Sequence, residues 1–368
     1  MPVLNALIAV SAAVPSRTPK DILKNVLMTG SGTNIEFVAT DMEIGIRSEI
    51  PESAIVANTS KDKFEILFNP QRVRSILTEL SGTEVVFDID DECRDMRIIA
   101  SGSKFRITTE DAKEFPPVPR MIEDDCFQVP SPVFALAIRR TKFACDVEST
   151  RYALGGINIE LSPGKCVLVA TDSRRLSVVE MAAEVVGNPD IVNKPTVVPV
   201  KAWESVASAA SGSQTIQVQI GANEVMFRIG PVSVYSRLIE GRFPRYRDVI
   251  PRNAKREVNL PAGPFQSALK QSEICLDKET RGVTMTFDAG VVKLESMSSS
   301  GDSAVEFPCE YDAEKLALSV DPKYIADFLK TMSPEQIVSV SLIDADTAIV
   351  FHIGKSVTYV VMPLSSDR

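Results

Sequence analysis

The stretch FNPQRVRSILTEL at 68–80, continued by SGTEVVFDI at 81–89, decides the fold because the same plan occurs three times. It returns as VPVKAWESVASAA (198–210) with SGSQTIQVQI (211–220), and as VDPKYIADFLKTM (320–332) with SPEQIVSVSL (333–342). Each copy reads as a hydrophobic residue, a turn with Pro, a helix, a second turn and an alternating strand. Pro70, Pro199 and Pro322 set a period of about 125 residues. That is the size of a domain, whereas solenoid repeats run roughly 20–50 residues. The 368 residues therefore read as three domains in tandem. Two Pro-rich stretches, FPPVPRMIEDD (115–125) and the segment after RFPRYRDVIPRN (242–253), place the boundaries at 1–122, 123–251 and 252–368.

A second recurring element precedes the helix. Thr40-Asp41-Met42-Glu43-Ile44 opens one alternating strand, and Thr171-Asp172-Ser173-Arg174-Arg175-Leu176 opens another. Helices are expected at 4–14, 70–80, 132–145, 199–210, 264–275 and 322–332, two in each repeat. Pro70, Pro132, Pro199, Pro264 and Pro322 stand at or near their starts, where a missing N–H costs little. Most of the remaining chain alternates apolar with polar residues between Gly, Asp and Ser, for roughly eight short strands per repeat. Strands joined by tight turns pair antiparallel, so the class is α+β with antiparallel sheets.

Composition narrows the function. Apolar content of 44% and charged content of 24% are those of a folded soluble protein. No apolar run reaches the roughly 18 residues needed to span a bilayer. The opening LNALIAVSAAV lacks a basic stretch before it, and Arg17 and Lys20 follow it, so it reads as a packed helix and not a secretory signal. Six cysteines, at 93, 126, 145, 166, 275 and 309, form no C-x-x-C pair. Scattered thiols of this kind suit a reducing cytoplasm and read as small core residues. This counts against an extracellular scaffold. The lone histidine, His352, sits on an alternating strand and lowers the case for hydrolytic or zinc chemistry. Asp41 and Asp172 could carry metal-dependent catalysis, but an active site should be singular. Aspartates recurring at the same place in two repeats read as turn formers. Neither a catalytic residue, a metal nor a cofactor is expected.

Charge is segregated. The chain carries −9 overall. The six expected helices hold nine basic residues (Arg72, Arg74, Arg139, Arg140, Lys142, Lys201, Lys270, Lys323, Lys330) against Glu79, Glu204, Glu273 and Asp327. Helices with a surplus of five positive charges leave −14 for everything else. If the helices share a side, that side attracts a polyanion. An 11-residue helix is about 16 Å long, more than the roughly 12 Å width of the DNA major groove. Laid across the groove it would touch phosphates without reading bases, a weak and salt-sensitive contact that permits sliding.

These residues resemble the bacterial sliding clamps, the beta subunits of the replicative DNA polymerase. The resemblance covers nearly the whole chain and is carried by ATDMEIGI (39–46), TRYALGGINIE (150–160), ATDSRRLSVVE (170–180), SRLIEGRFPRYRDVIP (236–251) and TYVVMPL (358–364). It implies three clamp domains per subunit and a head-to-tail homodimer closed into a ring, helices inside and sheets outside. The ring would encircle double-stranded DNA and tether the polymerase, with no catalysis of its own. It further implies a hydrophobic pocket between the second and third domains for short linear motifs of polymerases, the clamp loader and repair proteins. The matching positions are Arg151, Leu154, Thr171, Ser173, Arg174, Arg175, Leu176, Pro244, Val249, Val360, Met362, Pro363 and Leu364. Leu, Val and Met make an adaptable apolar cleft, and Arg and hydroxyl groups at its rim would fix the peptide backbone. For DNA the resemblance implies Arg17, Arg72, Lys104, Tyr152 and Lys201, to which helix charge adds Arg139 and Arg140. For the subunit contact it implies Phe105 and Ile274.

Four departures stand out. Arg174 replaces a common His and makes the rim more cationic. Asp248 inverts a rim charge. Ser365-Ser366-Asp367-Arg368 extends the usual end, at the mouth of the pocket. The family has a short strand before its first helix, whereas Met1-Pro2 nearly abuts that helix here. The expectation is either an absent edge strand or a start lying upstream.

Overall fold

The computed structural model describes residues 2–55, 63–80, 84–90, 92–100, 102–121, 125–148, 152–189, 195–276 and 282–364. Among them are six α-helices and twenty-four strands, every strand pair antiparallel. The α+β class with two helices per repeat is as expected. The chain forms two compact units. One comprises Met1–Ala135, Ala183–Val192 and Lys201–Leu238, and the other Leu136–Ala182, Asn193–Val200 and Ile239–Arg368.

The first unit begins with α1 (Pro2–Ser11), then β1 (Val26–Ser31), β2 (Asn34–Thr40), β3 (Ile44–Ile50) and β4 (Phe64–Phe68). After α2 (Pro70–Glu79) come β5 (Val86–Ile89), β6 (Asp95–Ala100) and β7 (Ser103–Thr108), a separate three-stranded sheet in that order. β8 (Cys126–Pro130) leads straight into α3 (Ser131–Thr141). The second unit takes up the chain with β9 (Gly156–Ser162), β10 (Lys165–Thr171) and β11 (Arg175–Met181). β12 (Glu184–Val186) returns to the first unit, β13 (Val197–Pro199) lies in the second, and α4 (Val200–Ala209), β14 (Thr215–Ile220), β15 (Glu224–Ile229) and β16 (Val232–Arg237) complete the first. Its large sheet runs β12-β8-β14-β15-β16-β3-β2-β1-β4. The join is the β16–β3 pair, with Val234 opposite Ile46, so strands of two repeats share one sheet.

The rest of the second unit is β17 (Arg256–Pro261), α5 (Ala262–Ser272), β18 (Val283–Asp288), β19 (Val291–Ser298), β20 (Gly301–Pro308), β21 (Leu316–Val320), α6 (Pro322–Leu329), β22 (Ile337–Leu342), β23 (Ile349–Ile353) and β24 (Val357–Val361). One sheet runs β13-β9-β10-β11-β24-β23-β22-β17 and the other β20-β19-β18-β21. Here the join is β11–β24, with Ser177 opposite Tyr359. The two joins are the same event one repeat apart. The last strand of one repeat pairs with the third strand after the first helix of the repeat before it.

The helices form where the local chemistry demands. Asn69 caps α2 by accepting from the Gln71 and Arg72 amides at 3.1 and 3.4 Å, and Asp321 caps α6 by accepting from Lys323 N at 3.0 Å. Pro70 and Pro322 occupy the first helical position. Val73 and Leu77 bury one face of α2, and Ile325, Phe328 and Leu329 one face of α6. In the first unit Trp203 of α4 packs on Phe134 and Phe227, ring centroids 5.7 and 5.2 Å apart. In the second, Tyr359 stacks on Phe328 at 4.6 Å and donates its hydroxyl to Tyr324 O at 2.8 Å. The Pro-rich stretch after the first repeat is pinned by Arg47, which donates to Val118 O at 2.6 Å and pairs with Glu36, a partner of Arg120 as well.

The recurring Thr-Asp step is one turn built twice. Asp41 Oδ1 accepts from the amides of Glu43 and Ile44, and Asp172 Oδ1 from those of Arg174 and Arg175. The threonine hydroxyls donate to Ile44 O and Arg175 O at 2.7 and 2.6 Å. Met42 and Ser173, between them, take φ of 78° and 75°. Both aspartates serve the backbone, as turn formers do. Cys126 and Cys166 are fully buried, and burial pushes the Cys166 thiol up to about 12.

Candidate peptide-docking site and basic positions

The described sequence-derived pocket positions fall in the second unit, several of them where β11 meets β24. Leu176 lies opposite Val360 and Arg175 opposite Val361. Beyond β24 the ladder continues, with Met362 N donating to Arg174 O at 2.9 Å. Leu364 N then donates to Ser319 O at 2.8 Å, which ties the segment to β21. The backbone of 362–364 is thus held at both ends while its side chains face outward. Beneath it lies one apolar cluster containing Leu176, Val360, Val167, Phe243, Tyr246 and Val350, with Ile250 packed on it.

Exposure divides the described apolar positions and Thr171 into two layers. Leu154, Leu176 and Val360 are each 3% exposed and Thr171 is 7%, so they form floor and frame. Val249 (60%), Met362 (47%) and Leu364 (40%) are exposed large hydrophobics, with Pro244 exposed and Pro363 half-buried. Val249 follows the 3-10 turn Tyr246–Asp248, whose Tyr246 is core. Large apolar side chains standing on a rigid, packed floor form a surface that a short peptide can cover. Arg151 lies outside the described residues, as does the side chain of Tyr152. The terminal Ser365–Arg368 lie outside them too.

Two polar assignments change in character. Thr171 does not offer its hydroxyl to a peptide, because it donates to Arg175 O and accepts from Ser173 N. Arg175 is no free rim charge. Its guanidinium donates to Asp172 Oδ2 and Asp327 Oδ2, both at 2.9 Å, and to Phe143 O at 2.6 Å. It lies over the rings of Phe143 and Tyr324, 5.4 and 4.8 Å from their centroids. Its side chain is 9% exposed. Burial works against the charge, but Tyr359, Asp327 and Asp172 outweigh it and raise its pKa. Arg175 thereby binds β11 to α6 and to the turn after α3. Its neighbour Arg174 is exposed, as are Ser173 and Asp248, so these carry the rim's polar character.

The basic positions also separate. Arg17, Arg72, Lys104 and Arg139 are exposed. Arg140 is corrected: at 8% exposure it is buried, its Nε lacks a partner, and its carbonyl accepts from Ser177 Oγ. Burial, and then Arg139 beside it, lowers its pKa. The sequence held the clue, since Phe134, Ala137, Ile138 and Thr141 make the buried stripe of α3 and residue 140 falls beside it. Lys201 is exposed but paired with Asp41 at 2.5 Å. Phe105 is half-buried on β7, and Ile274, in the 3-10 turn after α5, is 78% exposed. Among the described residues no helix is long and apolar enough to cross a membrane.

Fold and site together define a tandem α+β protein whose second unit presents a peptide-sized apolar strip. Comparison with known proteins gives the family. The models for the N-terminal, central and C-terminal domains of the DNA polymerase III beta subunit match residues 2–119, 128–245 and 247–365. The beta sliding clamp of Pseudomonas aeruginosa is 25% identical, with 98% of this chain and 97% of that one aligned. The beta sliding clamp of Bacillus subtilis is 26% identical over 88% and 87%. A crystal structure of the P. aeruginosa DNA polymerase sliding clamp with ligand shares the fold, with a TM-score of 0.88 at 24% identity, covering 99% of this chain and 97% of that one. The chain belongs to the DNA polymerase III beta subunit family.

Proposed function

We propose that this chain works as a DNA sliding clamp, a non-catalytic cytoplasmic processivity subunit. Two copies close head to tail into a ring around duplex DNA, helices inward and sheets outward. The ring tethers the replicative polymerase, clamp loader and repair proteins through the strip of Val249, Met362 and Leu364. In this reading residues 1–122, 123–251 and 252–368 are the three clamp domains.

One observation carries the ring. Within the chain the last strand of a repeat pairs with the third strand after the first helix of the repeat before it, β16 with β3 and β24 with β11. The same rule leaves two strands over, β7 of the first repeat and β20 of the third, each paired on one edge only among the described residues. Free edges invite pairing, and a second copy satisfies both at once through two equivalent joints. Charge agrees: β7 exposes Lys104 and Arg106, and β20 exposes Asp302 and Glu306. Phe105 lies on β7. Ile274 stands beside β20, where Cys275 Sγ meets Asp302 O at 3.3 Å. On the DNA side, support comes from the exposure of Arg17, Arg72 and Arg139 in an otherwise acidic chain. Such contacts are weak and blind to sequence, and a closed ring needs no stronger ones.

Sedimentation of the intact protein should give the mass of two copies. A stable monomer at micromolar concentration leaves β7 and β20 open and contradicts the ring. Ile274→Asp places a charge in the proposed joint and should yield monomers that melt like the parent chain. An unchanged mass removes Ile274 from the interface.

A further inference from the structure

The β16–β3 joint of the first unit is built like the β24–β11 joint that carries the apolar strip, but its charges are paired within the chain. Arg237 N donates to Glu43 O at 2.9 Å, as Met362 N does to Arg174 O. Glu43 therefore corresponds to Arg174, and Arg237 to Met362. In the first unit these two side chains form an ion pair across the ladder, Nη1 to Oε1 at 3.7 Å. In the second, an apolar side chain stands across from Arg174, whose guanidinium donates to the Tyr324 hydroxyl at 3.5 Å and, among the described residues, pairs with no carboxylate. The neighbouring acids are already engaged. Asp172 accepts from Arg175 and from two backbone amides, and Asp321 caps α6.

The other flank of the strip repeats the difference. EFPPVPR at 114–120 matches RFPRYRD at 242–248, so Arg120 corresponds to Asp248. Arg120 pairs with Glu36 of β2. Counting back from Thr40 and Thr171, which end β2 and β10, the place of Glu36 is taken by Val167, a member of the apolar cluster under the strip. Asp248 is exposed and has no ion-pair partner among the described residues. Arg247 beside it is already paired with Glu160. Each counter-charge of the first unit is thus an apolar residue in the second, and two opposite charges border one apolar cluster unpaired.

We propose that the docked peptide supplies both missing charges: a carboxylate beside Arg174 and Met362, and an ammonium or guanidinium beside Asp248 and Val249. Arg174 and Asp248 are then the residues that choose among linear motifs, and they set the order in which acid and base flank the apolar side chains. Exposed charges of this kind act on the choice of partner more than on affinity. The inference rests on the strip of Val249, Met362 and Leu364 being the docking site.

Two synthetic peptides of identical composition, capped at both ends, are the probes for the full-length protein. One carries an aspartate before and a lysine after the same pair of leucines, and the other has the two charges exchanged. At low salt one order should bind about tenfold more tightly than the other, with the difference shrinking as salt is raised. Arg174→Glu combined with Asp248→Lys should reverse the preference, because each contact changes sign while the apolar strip is untouched. Equal binding of the two orders overturns the proposal, as does a preference that the double substitution leaves unreversed. Met362→Ala with Leu364→Ala separates this from the reading it rests on, since both orders should then lose binding. Equal binding that still depends on Met362 and Leu364 removes the charge selection alone. If neither order binds saturably, or both still bind that variant, the strip is not the docking site and the proposal falls with it.

Discussion

Met362→Ala with Leu364→Ala is expected to abolish stimulation of the polymerase and to weaken binding of a linear-motif peptide by about 100-fold, each truncation costing roughly 1.5 kcal/mol. The geometry makes this a clean removal. Both side chains are 40–47% exposed, so the free protein gains little from them. Their backbone is fixed from outside, by the bonds of Met362 N to Arg174 O and of Leu364 N to Ser319 O. The cluster below, with Leu176 and Val360, keeps its own contacts. The variant should therefore sediment as the parent does and melt within a few degrees of it, as surface substitutions usually do. If it dissociates or melts much lower with stimulation intact, the two side chains belong to the core and the strip is not the docking site.

Arg175→Ala acts through stability. It strands the carboxylates of Asp172 and Asp327 and the carbonyl of Phe143, and empties the space between two rings. Breaking a buried pair from one side costs about 3–5 kcal/mol. For a unit of this size the melting temperature should fall by about 10 °C. Arg174→Ala, one residue away but exposed, should leave it unchanged. Arg175→Lys should recover only part of the loss, since an ammonium cannot serve three acceptors with a planar fork. The pH dependence has a defined sign. Burial raises the pKa of Asp327, but hydrogen bonds from Arg175 and Lys330 outweigh it and hold it below the ordinary range. A depressed folded-state pKa gives stability that is present above the unfolded value and lost as pH falls through the folded one. The gap between parent and Arg175→Ala should thus be constant near neutrality and narrow below about pH 4. A gap that persists undiminished to pH 2 contradicts the assignment, as does an unshifted melting temperature at pH 7.

The architecture was legible because it is periodic. Pro70, Pro199 and Pro322 marked three helices whose starts the structure places at Pro70, Val200 and Pro322. The Thr-Asp step was read as a turn because it recurs, and its hydrogen bonds match in both copies. Contacts across long separations were not legible. Nothing near Arg175 in the chain announces Asp327, 152 residues on, or relates Lys201 to Asp41 across 160. Counting charge on helices overstated the basic surface for the same reason, since Arg140 is folded inward and Lys201 is paired. Within TYVVMPL the sequence alternation ends at the point where the strand does. Val360 and Val361 are buried, whereas Met362 and Leu364 are exposed on the tail whose backbone is tied to Arg174 and Ser319.

The central claim is topological: weak contacts suffice because a closed ring has no end to leave by. It is tested most directly by loading the protein onto nicked circular DNA, removing the free protein and then cutting the circle once. The account predicts retention on the circle and loss within the time of diffusion once an end exists, with the same loss prevented by blocking both ends. Equal retention on circular and linear DNA, or equal loss from both, would contradict it.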